Sequence, residues 1–224
     1  MKLRIHPSHL VVALLALGSL QAGATTINWG GRVLDNLVDS QGQALDSSFK
    51  FELGTFANSF VPTSENTSEW AANWQTFDLA NFDPDMGYFT GTADLKADGS
   101  SSSAFADLGL NFAEGEAYLW VYNDQEMQSG TEWFLGRNDN WVMPSLAEDC
   151  GCSGTLPLQW STSDLGVFDV PIYGGQGATT GAGSASQPGN YNIQTYTMVP
   201  EPSAFMLAIL SAGLCFLRRR PQKA

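Results

Sequence analysis

Apolar and polar positions alternate along most of the chain. In Ser47–Phe56 (SSFKFELGTF), Phe49, Phe51 and Leu53 fall on one side of an extended backbone, the period-two pattern of a strand. Thr26–Leu34 (TINWGGRVL) alternates more loosely, and its Gly30-Gly31 pair reads as a bulge or bend. Met86–Leu95, Ser103–Phe112, Glu116–Asn123 and Thr131–Arg137 follow as further strands, separated by Gly, Asp, Asn and Ser clusters. Leu156–Trp160, Gly166–Tyr173 and Tyr191–Thr197 are shorter candidates. One stretch departs from the pattern. Thr63–Phe82 carries Ser/Thr caps, an early Glu69, and Trp70, Trp74 and Phe77 at helical spacing, which predicts one short helix around Thr67–Phe77 packed on the sheet. Many short strands with a single helix predict a mainly β domain, a β-sandwich or jelly-roll-like fold. Gly174–Asn190 is rich in Gly, Ala, Ser and Thr and is expected to be a mobile loop. It either precedes a last strand, the preferred reading, or begins a tether after Tyr173.

Charge narrows the function classes. The 224 residues include 23 acids and 10 bases. Between Thr25 and Val199 lie all the acids except Glu201, but only Arg32, Lys50, Lys96 and Arg137 among the bases, a formal charge of −18. Such a surface repels phosphate backbones, so no nucleic-acid partner is expected. His6 and His9 are the only histidines. Both fall in the N-terminal segment described next, so a chain without it has no Ser-His-Asp or Cys-His activation and no histidine-based metal site. Carboxylate-only chemistry, chiefly glycoside hydrolysis by an Asp/Glu pair, survives this exclusion. No cofactor is expected.

The two ends carry the sharpest signals. Lys2 and Arg4 precede the eleven-residue apolar run Leu10–Leu20, and Ala22-Gly23-Ala24 supplies small residues at alternate positions. That order reads as a signal peptide over residues 1–24, cleaved before Thr25. At the other end Ser203–Leu217 is fifteen uncharged residues, about 22 Å as a helix. Pro200 and Pro202 break any helix upstream, and Arg218, Arg219 and Arg220 follow as a basic anchor. A membrane-spanning helix over residues 203–217 with its arginines in the cytoplasm is the expectation.

Val199-Pro200-Glu201-Pro202-Ser203, then a short apolar stretch, then an arginine cluster at the C-terminus, resembles the PEP-CTERM sorting signal of Gram-negative bacteria. The resemblance covers about 25 residues, 199–224. It implies processing at or near Pro200-Glu201-Pro202 by an exosortase, a membrane-embedded enzyme, and an association with exopolysaccharide, biofilm matrix and the outer surface. On this reading residues 25–198 form an extracytoplasmic body. A precursor held transiently in the inner membrane delivers it to the cell surface or extracellular matrix.

Weaker candidates lie in the body. Export makes a small local disulfide between Cys150 and Cys152 the preferred reading over free thiols, and two cysteines alone make no zinc site. Asn81, Asp83 and Asp85 in NFDPDMG resemble half a calcium loop, but Pro84 lies inside it and Thr92 stands where the twelfth ligand belongs. An ordinary turn is the preferred reading, and no metal is expected. Asn66-Thr67-Ser68 matches a glycosylation sequon, a triplet common by chance. Seven tryptophans either pack in the core, the default for Trp120 and Trp133, or stack on sugars. The leading expectation is a non-enzymatic, sorted surface or matrix protein. The alternatives are a carbohydrate-binding or adhesive module and a carboxylate-dependent glycosidase.

Overall fold

Glu116–Tyr122 is apolar at almost every position, and from Ala117 to Tyr122 every side chain is buried. A computed structural model of the chain describes residues 24–57, 60–145, 157–162 and 171–198. In order these form β1 (Ala24–Gly30), β2 (Leu37–Val38), β3 (Lys50–Phe56), a 3-10 turn (Thr67–Glu69), α1 (Trp70–Asn73), β4 (Trp74–Leu79), β5 (Asn81–Asp83) and β6 (Tyr88–Lys96). There follow β7 (Glu116–Tyr122), β8 (Glu132–Val142), β9 (Leu158–Ser161), β10 (Gly175–Gly177), β11 (Thr179–Thr180), β12 (Tyr191–Gln194) and β13 (Tyr196–Thr197). The protein is mainly β with one short helix, as expected. The strands make three sheets, ordered β5-β6-β1-β9, β11-β10-β12-β2 and β13-β8-β7-β3-β4.

The five-stranded sheet lies at the centre because its strands are apolar on both faces. Ala117, Leu119 and Val121 of β7, with Phe51 and Leu53 of β3 and Phe134 of β8, meet Ile27 and Trp29 of β1 and Phe89, Ala93 and Leu95 of β6. On the opposite face Tyr118, Trp120 and Tyr122 join Trp133, Leu135, Tyr173 and Tyr196. Trp70 from α1 closes this second cluster, stacking on Trp133 with ring centroids 5.5 Å apart and planes 18° apart. Fully buried aromatic rings contribute about 2–3 kcal/mol each from area alone, so this cluster is a second core.

Three expectations need correction. The helical run stops at Asn73, and Trp74–Leu79 pairs with β3 as strand β4. Trp70, Trp74 and Phe77 were expected on one helical stripe; instead Trp70 and Trp74 enter one core and Phe77 the other. Ser103–Phe112 forms turns rather than a strand, leaving Phe105 and Leu108 exposed. It is held against the edge of β4, where Asp107 N donates to Thr76 O and Thr76 N donates to Asp107 Oδ2. The Gly/Ser-rich segment 174–190, expected as a mobile loop, contains β10 and β11, and β10 pairs in turn with β12. Gly174 N donates to Ala182 O and Gly181 N to Gly174 O, so its glycines give backbone access for hydrogen bonds. With β12 and β13 in the sheets, the body continues past Tyr173 to Met198.

Candidate functional site

The expected sorting motif (Val199–Ser203), arginine anchor (Arg218–Arg220) and cysteine pair (Cys150, Cys152) lie outside the described residues, as does the expected signal peptide apart from Ala24. What the structure places is the body up to Met198. Met198 is buried and its N–H donates to Thr131 O, so the folded unit is held to the residue immediately before Val199. At the other end Ala24 pairs with Lys96 in the β1–β6 ladder, and Thr25 with Leu95. Among the described residues no helix is long and apolar enough to cross a membrane.

Within the body several acids are tied to protein donors. Glu52 accepts hydrogen bonds from Trp74 Nε1 at 2.7 Å, Thr76 Oγ1 at 3.0 Å, Gln125 Nε2 at 3.3 Å and the Tyr122 hydroxyl. Asp78 accepts from Trp29 Nε1 at 2.8 Å. A Cβ at Gly91 would sit 2.3 Å from that indole nitrogen and 2.6 Å from Asp78 Oδ2, so glycine leaves the room this bond needs. Asp35 accepts from Thr162 Oγ1 and Arg32 N, and Glu132 from Ser40 and Thr195. These contacts bind distant segments together, the Asp35–Thr162 pair spanning 127 positions. Asp46 and Asp98 are held below the usual carboxylate range by side-chain and backbone hydrogen bonds from Ser48 and Ser100, which belong to turns.

Asn81, Asp83 and Asp85 lie at the β5–β6 hairpin. Asp83 Oδ1 accepts from the N–H groups of Asp85 and Met86, the self-bonding of an Asx turn. Among the described residues no three His, Cys, Asp or Glu side chains converge as metal ligands. At the sequon, Asn66 Nδ2 donates to Val61 O and Oδ1 accepts from Trp70 Nε1. All seven tryptophans are buried, from 0% to 8% exposed, so none offers an open indole face as a sugar platform.

A cleft does open on the outer face of the β5-β6-β1-β9 sheet. Ile27 and Trp29 of β1 face the core, so Asn28 and Gly30 face outward. Cross-strand pairing sets Gly30 between Thr90 of β6 and Ser161 of β9, and Asn28 between Thr92 and Gln159. Gly30 is required where it lies, because a Cβ there would meet the Phe89 carbonyl oxygen at 2.4 Å. Around Gly30 lies a depression of about 210 Å³, bounded by Tyr88, Thr90, Asn28, Gln159 and Ser161, with Trp29, Trp160 and Gly31 completing its lining. That is smaller than the roughly 300 Å³ at which ordinary small-molecule pockets begin. No Asp, Glu, Lys or Arg lines it. Sequence reading registered the Gly30-Gly31 irregularity but missed the cleft, whose walls come from three segments.

No family model, no curated protein and no solved structure matches the chain. The tail's resemblance therefore rests on its own residues.

Proposed function

We propose that the chain is an exported surface or matrix protein, sorted through its C-terminal tail as an exosortase substrate, whose acidic body is a non-enzymatic display domain associated with exopolysaccharide. The observation that carries this reading is the order Val199-Pro200-Glu201-Pro202, the fifteen uncharged residues Ser203–Leu217, then Arg218-Arg219-Arg220. A processing enzyme needs an accessible extended segment next to a folded cargo, and two prolines flanking Glu201 disfavour helix there. The charge of the body keeps it solvated once outside. The buried carboxylates Glu52, Asp78 and Asp35, each engaged by the protein's own donors, support a structural use of acid side chains. We read the two sheets packed across the main core as a β-sandwich of the jelly-roll kind, with the aromatic second core as an elaboration.

The test is genetic and biochemical. In its native host the full-length precursor is transient, and Glu201→Ala makes it accumulate in the inner membrane with its body outside the cytoplasm. In a host without an exosortase the unaltered chain behaves like Glu201→Ala. Replacing Arg218–Arg220 together misorients or releases the protein. Unimpaired processing of Glu201→Ala would contradict the assignment of the motif.

A further inference from the structure

We infer that the cleft around Gly30 is a subsite for a single neutral sugar residue of a polysaccharide. The proposal deepens the reading above, resting on it for the source of the ligand and on the cleft itself for the chemistry.

The lining selects by charge first. The body carries −18, yet no ionisable carboxylate, ammonium or guanidinium lines this depression. An anionic ligand gains no partner there and is opposed by the surrounding field. A cation finds no carboxylate to hold it. What remains is hydroxyl and carboxamide: Ser161, Thr90, Tyr88, Asn28 and Gln159, every one able both to donate and to accept. That is the complement of a ligand whose own groups do both, which is a ring of hydroxyls. The side chains stand on three neighbouring strands about 4.8 Å apart, so they present a ladder of polar groups across one ring's width. Thr92 Oγ1 donates to Asn28 Oδ1 at 2.9 Å, which restrains the carboxamide before a ligand arrives.

A second observation lies at the rim. Gly31 and Tyr88 line the cleft, and just beyond them Val33, Leu34 and Met86 are 53%, 76% and 45% exposed. Leu34 N donates to Met86 O, which draws the two chain segments that carry these exposed apolar residues together. Leu34 has φ of 67°, a left-handed conformation that is strained for a non-glycine residue. A strained leucine displayed to water beside a polar floor fits an amphipathic guest: a sugar ring presents hydroxyls at its edge and C–H groups on its faces. The volume admits one ring, and the open shape lets a polymer continue past it. With every tryptophan buried, binding relies on hydrogen bonds and these apolar residues, so one site is weak, with Kd on the order of millimolar. Display of many copies along a polymer supplies avidity.

The full-length chain, in a detergent without a sugar headgroup, is titrated by saturation-transfer NMR with maltohexaose, cellohexaose and mannohexaose as neutral probes and with oligogalacturonate as the anionic one. The expected result is millimolar binding of at least one neutral hexasaccharide and none of oligogalacturonate. Gln159→Ala/Thr90→Val weakens that binding roughly tenfold. The single change at exposed Gln159, Gln159→Ala, weakens it measurably and serves should the double variant misfold. Failure of every neutral probe to bind, unchanged affinity in the single variant, or oligogalacturonate binding as tightly overturns the cleft assignment. Tail processing is measured separately on the same variants. Lost binding with normal processing confirms the cleft, whereas a tail left intact with normal binding contradicts the sorting reading alone.

Discussion

Glu52 is a carboxylate 8% exposed in a sheet with no cation among its hydrogen-bond partners, and such a group is tolerated only where donors replace water. Trp74, Thr76, Gln125 and Tyr122 do so from three other parts of the chain. The tyrosine bears the consequence: burial first, then the charge and hydrogen bond of Glu52, push the Tyr122 hydroxyl well above its ordinary value. A folded-state pKa raised above the unfolded value gives stability that is complete below about pH 10 and is lost as pH rises beyond it. Burial raises Tyr196 in the same direction. Tyr122→Phe should therefore lower stability by about 1–3 kcal/mol at pH 7 and decline less steeply than the parent between about pH 10 and 11.5, read by urea denaturation. Parallel curves would refute the role given to Tyr122. In the sequence the alternation of Phe49, Phe51 and Leu53 identified their core face correctly. It equally placed Glu52 on the opposite face, but local pattern could not reveal that this face is covered as well.

At the scale of elements, local signals identified strands where one face is apolar and turns where Asp-Gly or Asp-Pro recur. The Lys96–Ser100 turn and the Asp83–Gly87 turn both formed. Where a segment serves two cores, periodicity misleads. Trp70, Trp74 and Phe77 satisfy a helical stripe, yet pairing of Trp74–Leu79 with β3 brings Trp74 Nε1 and Thr76 Oγ1 to Glu52, which a continued helix would forfeit. The segment 174–190 misled for the opposite reason: glycine and serine have no apolar period, but their backbones pair. Hydrogen exchange separates packed hairpin from mobile loop. The amides of Gly174, Gly181 and Ala182, all bonded, should exchange far more slowly than those around exposed Leu108 and Gly109. Equal rates in the two segments would contradict the pairing. The cleft was unreadable for a topological reason: parallel pairing of β1 with β9 joins Ile27 to Leu158 across most of the body, and no local pattern records such a contact.

As a whole the molecule places a strongly acidic, doubly cored β body between two terminal segments of opposite character in sequence. The acid excess and the scarcity of bases, legible from composition, disfavour association of such a body with phosphate backbones. Its internal polar bonds use many of the acids structurally. The described body runs from Ala24, paired with Lys96 in the β1–β6 ladder, to Met198, which is buried and hydrogen-bonded to Thr131. On the proposed reading this folded segment is the cargo and the tail from Val199 onward is what processing removes. Intact-mass measurement of the surface-exposed protein from its native host tests this most directly. A chain starting at Thr25 and ending at or near Pro200-Glu201-Pro202, without the apolar segment and Arg218–Arg220, is the result expected. A mass that includes every residue through Ala224 would contradict sorting by cleavage.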